Sequence, residues 1–285
     1  MLVPIFRFLS IFPLPVLHAM GATLGWVIYL LAPSYRRRMR QNMALAGYTQ
    51  YLPAAIAEAG KAALELPFLW CADPRRVSRH ASQKVNWPLV QDALASGRGI
   101  VFLTPHLGCF EICAQEVALL TELMVMYRPP KQEALKPLVE GARARGNLFL
   151  APANMSGVRM LAKFLKRGKP IGLLPDQVPQ EGEGVWAKWY GRDAYTMTLP
   201  AKLAKLGNPH LIVTYAERLP WGRGYRIHFI EITDPLEGDI AQQAQTINNA
   251  MQRLIAEKPS QYYWSYNRYK VPAGVAAPAA VGEQA

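Results

Sequence analysis

The chain has 285 residues, enough to bury a full core, and 51% of them are hydrophobic. Lys and Arg outnumber Asp and Glu by 32 to 20, a net charge of +12, so the partners it attracts are acidic: nucleic acid, anionic lipid or an acidic carrier protein. Zinc-finger spacing and RNP-type aromatic runs are missing, which argues against nucleic acid, and the odd set Cys71, Cys109 and Cys113 forms no disulfide framework and suggests a reducing compartment.

In chain order, the first 40 residues argue for a membrane anchor with a basic flank. Leu14 to Ala32 is nearly all apolar, with His18 as its one ionisable residue. A helix of about 19 residues just crosses a bilayer core. The run ends in Tyr35-Arg36-Arg37-Arg38-Met39-Arg40, whereas only Arg7 precedes it, so the positive-inside bias puts the rest of the chain in the cytoplasm. Charge, not an Ala-x-Ala site, follows the apolar run, which disfavours a signal peptide. The alternative is an amphipathic or buried N-terminal helix, still facing a membrane.

Gln41 to about Ala72 reads as helical, with Pro53 opening its second piece and Pro67 inside it. A short helix at Leu89–Ala95 closes at Gly97-Arg98-Gly99. The apolar run Ile100–Leu103 predicts a buried strand, followed by a helix to about Leu120. Further strands are expected at Leu123–Tyr127, Leu148–Leu150, Ile171–Leu174, His210–Ala216 and Tyr225–Ile232. Helices are expected over Gln132 to about Arg145, Val158–Lys166, Leu199–Leu206 and Ile240–Glu257. Asp176 to Asp193 reads as a Gly- and Pro-bearing loop. Alternating strands and helices imply an α/β fold: a mixed, partly parallel sheet flanked by helices, its last strand pair antiparallel. Residues 41–270 form a single domain, and the Ala/Pro/Gly-rich tail 271–285 is expected to be disordered.

The segment Thr104-Pro105-His106-Leu107-Gly108-Cys109-Phe110-Glu111 carries the chemistry. Five residues advance a helix by about 500°, so His106 and Glu111 would not share a helical face. His106 is therefore expected in the turn after the strand, with Glu111 on the first helical turn reaching back to it. A carboxylate there is kept anionic by the helix dipole and can hold one imidazole nitrogen, leaving the other as a general base. The bland alternative is a capping histidine and a solvated first-turn acid. The position favours chemistry, because open α/β sheets place sites at strand carboxyl ends.

With this unit in place, the chain resembles the bacterial late lipid A acyltransferases, relatives of the glycerolipid acyltransferases that share a His-x4-Asp/Glu signature. The resemblance runs nearly the whole length, through His106-x4-Glu111, Tyr127-Arg128-Pro129, Arg143-Ala144-Arg145, Pro175-Asp176-Gln177, Trp189-Tyr190-Gly191-Arg192 and Tyr262-Tyr263-Trp264. Two departures are Cys109 inside the signature and Tyr266-Asn267-Arg268, where the family often carries a more basic run.

The resemblance implies transfer of a fatty acyl group from an acyl carrier protein thioester to a hydroxyl of a lipid A precursor at the inner membrane. His106 and Glu111 are then the catalytic pair, and Arg128, Arg143, Arg145, Asp176 and Gln177 the substrate-binding candidates. Arg143 matches an arginine important in the family. Arg128, just past a strand, can clamp a phosphate. Asp176 is placed to position Arg143 or a sugar hydroxyl. Because the substrate supplies the hydroxyl, no enzyme nucleophile is required, in keeping with the missing Gly-x-Ser-x-Gly elbow. Cys109 is the one thiol near enough to act covalently, with a small packing residue as its commoner fate. The oxyanion would be held by backbone N–H groups after His106 or by a guanidinium. The scattered histidines predict no metal, and no Walker A or Gly-x-Gly-x-x-Gly motif predicts a nucleotide cofactor. Two alternatives remain open: a different polar lipid as acceptor (an ornithine or glycine lipid, or a phospholipid), or a non-catalytic lipid-binding protein.

Overall fold

The computed structural model describes residues 2–130, 132–144 and 146–278. Arg145 and residues 279–285 of the expected tail lie outside the described residues. Residues 271–278 run without regular secondary structure, and Trp186 Nε1 donates to Ala276 O, 3.2 Å away.

The N-terminal region folds as α1 (Leu2–Leu9), α2 (Leu14–Leu31) and α3 (Pro33–Leu45), and Pro33 at the start of α3 marks the break. Then come α4 (Leu52–Cys71), α5 (Pro74–Arg79), β1 (Gln83–Val85) and α6 (Trp87–Ala95). The central part alternates β2 (Ile100–Leu103), α7 (Phe110–Ala118), β3 (Leu123–Tyr127), α8 (Lys136–Arg143), β4 (Leu148–Pro152), α9 (Met155–Lys166) and β5 (Ile171–Leu173). The hairpin β6 (Gly184–Trp189) and β7 (Arg192–Met197) follows, then α10 (Leu199–Ala204), β8 (His210–Arg218), β9 (Tyr225–Glu231) and α11 (Ile240–Glu257).

The hairpin corrects the loop expected over Asp176–Asp193. Its two-residue turn is Tyr190-Gly191, both at positive φ. Turns of this shape normally advertise themselves with Asn-Gly or Asp-Gly; a tyrosine in the left-handed region hides the signal. β1 was also missed, because Gln83-Lys84-Val85 is a short polar edge strand with no apolar period.

Seven strands form one sheet in the order β1-β9-β8-β2-β5-β3-β4. Every pair is parallel except β8–β9, as the mixed-sheet expectation required. β2 is buried along its whole length, with no polar side for solvent. Val101 and Leu103 join one core with α9, α10 and α11, while Ile100 and Phe102 join the opposite core with α6, α7 and α8. Burying one such aliphatic contributes about 1.5–3 kcal/mol.

β2 and β5 are neighbours, yet the chain leaves β2 toward β3 and leaves β5 toward β8, on opposite sides of that pair. Loops diverging in this way open a crevice at the strand carboxyl ends.

The N-terminal α2 is apolar enough, over its 18 residues, to cross a membrane by length and composition. One side of it is packed on the domain: Leu14, Leu17, His18, Gly21, Gly25 and Tyr29 are buried, most of them against α4. At the crossing the backbones meet directly, since a Cβ on Gly60 would stand 1.9 Å from Gly21 O.

Candidate active site

The crevice holds the predicted histidine. After β2 the chain is tied down step by step: Thr104 N–H donates to Leu173 O, Gly108 N–H to Gln261 O and Cys109 N–H to Ala216 O. Gly108 sits at φ +60 with Ala216 O 2.0 Å from where a Cβ would be, so only glycine lets the turn lie this close to β8. On the far side, Tyr263 N–H donates to His106 O at 3.0 Å. The imidazole lies between the rings of Phe110 and Tyr263, with centroids 4.8 and 6.2 Å away.

The carboxylate on His106 is that of Asp176, not Glu111. Asp176 follows β5, the strand paired with β2, and is 2% exposed. Its Oδ2 accepts from His106 N–H at 2.9 Å, and its Oδ1 lies 2.8 Å from His106 Nδ1. One carboxylate therefore grips both the backbone and the ring of the same residue. Burial alone would raise the Asp176 pKa, but the His106 charge and both hydrogen bonds outweigh it, holding the carboxyl below its ordinary value. At 3.1 Å, Gln177 Nε2 approaches the other ring nitrogen, Nε2. This network assigns the proton to Nδ1 and the lone pair to Nε2, the tautomer of a general base.

Glu111 does stand in the first turn of α7, as expected, but it faces α8. Its carboxylate takes Arg143 in a two-pronged pair: Nε donates to Oε2 at 2.9 Å and Nη2 to Oε1. Burial alone would lower the Arg143 pKa; the Glu111 charge and hydrogen bond, with Tyr127, together outweigh it and raise it. Arg143 also lies over the Tyr127 ring, 5.5 Å from its centroid. The sequence placed both carboxylates in the crevice but exchanged their partners. The physical reason is long-range: β5 pairs with β2 and carries Asp176 to His106, while α7 and α8 share one core and bring Glu111 to Arg143.

Other predicted positions divide as follows. Arg128 is exposed just past β3, and no acidic partner faces it among the described residues. Gln177 is in the site. The main-chain amides expected to hold the oxyanion are largely taken, since Leu107, Gly108 and Cys109 all donate elsewhere. Cys109 is 2% exposed, and burial first, with the Glu65 charge adding to it, pushes its thiol well above the ordinary value. A buried, protonated thiol suits a packing role.

Sequence reasoning missed the buried ionic network beneath the site. Arg218, at the end of β8, donates Nε to Glu65 Oε2 at 2.8 Å, Nη2 to Glu65 Oε1 at 2.5 Å and Nη1 to Glu58 Oε2 at 2.8 Å. His18 Nε2 lies 3.3 Å from Glu65, and Tyr225 OH donates to it at 3.0 Å. Arg218 N–H and O in turn hold the side chain of Gln261, whose carbonyl accepts from Gly108. The available signal was His18 itself, a lone ionisable group inside an apolar run.

A groove of about 650 Å³ is lined by Arg37, Arg38, Gln41, Arg192 and Asn267 among others, with no carboxylate among its described lining residues. Asn42, another of its lining residues, donates Nδ2 to Trp264 O at 2.6 Å, one residue on from Tyr263.

Residues 1–271 match the profile described as bacterial lipid A biosynthesis acyltransferase. The chain is similar to the lipid A biosynthesis lauroyltransferase of Escherichia coli, 23% identical over 92% of this chain and 88% of that protein. It is similar to the palmitoleoyltransferase of the same organism, 25% identical over 90% of this chain and 86% of the relative. A lipid A biosynthesis acyltransferase of Haemophilus influenzae is 25% identical over 61% of this chain and 55% of its own length.

Proposed function

Since the chain belongs to the bacterial lipid A biosynthesis acyltransferase family, we propose that it moves a fatty acyl group from an acyl carrier protein thioester to a hydroxyl of a lipid A precursor. The observation that carries this reading is the His106 imidazole at the carboxyl end of β2, held through Nδ1 by buried Asp176. Its Nε2 takes the proton as the acceptor hydroxyl attacks the thioester carbonyl. The carbonyl pair moves to oxygen; the tetrahedral intermediate collapses, the C–S bond breaks, and the imidazolium returns the proton to the departing thiolate. Asp176 fixes the tautomer and stabilises the imidazolium, the role a carboxylate plays in a Ser-His-Asp triad. General-base help of this kind contributes about 10²–10⁴-fold.

Glu111 acts at one remove: it holds Arg143 in place, and to that guanidinium we assign the stabilisation of the negative charge developing on the thioester oxygen. Gln177 yields Nε2 to the incoming hydroxyl. Arg128 and the groove of Arg37, Arg38 and Arg192 receive the acceptor's phosphates. The carrier protein is acidic and is drawn by the +12 balance. The reaction takes place at the inner membrane with the domain on the cytoplasmic side, a placement that rests on the attraction of the arginines after α2 to the anionic cytoplasmic leaflet.

The test is mass spectrometry of lipids from cells with and without the gene. A lipid A species lighter by one acyl chain, restored by the wild type and not by His106→Ala, is the expected result. Unchanged lipid A together with loss of an ornithine, glycine or phospholipid species would overturn the acceptor assignment.

A further inference from the structure

One side of α2 is committed to the domain and the other is not. Its buried residues recur at positions 14, 17, 18, 21, 25 and 29, while Val16, Met20, Trp26, Val27, Leu30 and Leu31 stand exposed. In α1, Ile5 and Phe8 are exposed too, as is Ile11 after it.

The committed side is fixed along the whole helix. At its start Gly222 lies against Pro15, so that a Cβ there would meet Pro15 N at 2.4 Å. Arg76 of α5 donates to Ser10 O and Phe12 O, both at 2.9 Å, in the link between α1 and α2. Next, His18 reaches Glu65, which Arg218 of the central sheet holds from the other side. Further along, Gly21 and Gly25 touch the backbone of α4 at Gly60 and Ile56. Near the end, Tyr29 enters the main core.

These contacts decide between two membrane geometries. A helix of 18 residues crossing the hydrocarbon would occupy its full depth of about 30 Å. It would carry with it α4, with Glu58, Lys61 and Glu65, and the Arg218 end of β8. Immersing that sheet edge and its charges costs several kcal/mol for each polar group left without water. Lying in the plane requires none of this: the uncovered face meets the acyl boundary and the ionic side stays with the domain. The charge pattern agrees. The first 57 residues contain five arginines and no Asp or Glu, and Arg37 and Arg40 are exposed just beyond the end of α2.

We infer that α1 and α2 form a fixed in-plane platform that seats the catalytic domain on an anionic bilayer surface, with α2 entering one leaflet and not crossing to the other. The arginines of α3 occupy the headgroup layer. Because Glu65 and Arg218 link this platform to the Gln261–Gly108 turn beneath His106, the site is held at a constant height over the lipid.

The experiment uses the full chain in phosphatidylethanolamine/phosphatidylglycerol vesicles, with an environment-sensitive fluorophore on Val16→Cys, Met20→Cys, Val27→Cys or Leu31→Cys and unsubstituted protein as the labelling blank. Quenching by lipids bearing nitroxides at graded depths is expected to place all four labels at one shallow depth, about 5–10 Å below the headgroup boundary. A depth profile deepest near Met20 and shallow at both ends would overturn the inference. So would labelling of Ile11→Cys from the periplasmic face of intact cells by an impermeant maleimide, or labels that no lipid quencher reaches. In flotation with the same vesicles, Arg36→Gln, Arg37→Gln and Arg40→Gln are each expected to weaken binding about fivefold, with no effect on phosphatidylcholine vesicles. Equal effects on both lipids would remove the arginines from the headgroup layer.

Discussion

Asp176→Asn separates the two carboxylates of the site most cleanly. The substitution keeps volume and shape. His106 N–H still needs an acceptor where Asp176 Oδ2 stands at 2.9 Å, so the amide oxygen takes that place. The amide NH2 then faces His106 Nδ1, where Oδ1 stood at 2.8 Å. A donor there forces Nδ1 to accept, and the ring proton moves to Nε2. The imidazole keeps its position and loses the lone pair it needs as a base. In the serine protease triad the same change costs about 10⁴ in kcat, equivalent to about 5.5 kcal/mol of barrier, and this site should lose a similar amount. KM for both substrates should stay within about threefold, since no binding contact is removed. The fold should lose only about 1 kcal/mol, the difference between a charged and a neutral acceptor. The assay is steady-state transfer from acyl carrier protein thioester in mixed micelles, with a thermal melt on the same preparation. A folded Asp176→Asn that keeps kcat within tenfold of wild type refutes Asp176 as the group that orients His106.

Glu111→Gln should lower activity through Arg143, and Arg143→Ala should lower kcat no further when added to it; independent losses in this double-mutant cycle would dissolve the pair. The same variant should destabilise by about 3 kcal/mol in urea, the low end for a buried pair, because the Arg143 side chain keeps 25% exposure. Cys109→Ala should retain most turnover, and iodoacetamide should leave native enzyme active; inactivation tracking Cys109 alkylation would instead indicate an acyl-enzyme. Glu65 is buried, which would raise its pKa, yet the Arg218 charge and hydrogen bonds hold it at about 2. Its unfolded pKa is about 4.3, so about 3 kcal/mol of stability is present above that pH and disappears as pH falls toward 2. The urea midpoint should drop over this window, less steeply in Glu65→Gln; identical slopes would show that the network is not the acid-sensitive element.

Much of this protein was determined by local sequence. β2, β3 and α11 end close to where apolar runs, caps and breakers place them, because a fully buried strand or a strongly periodic helix needs no tertiary information to be recognised. His106 in a turn at a strand's carboxyl end, and Glu111 on the first helical turn after it, follow from the same local rules. The apolar N-terminal helix was equally plain. Only the tertiary structure decided what these groups touch. Asp176 reaches His106 across 70 residues because β5 inserts beside β2, and strand order is a long-range choice that no local pattern encodes. Glu111 reaches Arg143 for the same reason: α7 and α8 pack on one face of the sheet. The hairpin stayed hidden because its turn uses a tyrosine at positive φ, a strain that the surrounding packing supports and composition cannot reveal. Hydropathy marked α2 as a helix for a membrane; whether it crosses or lies flat depends on Gly21, Gly25 and His18 meeting α4 some 40 residues later. Burial is a property of faces brought together, and a sequence shows a face without its partner.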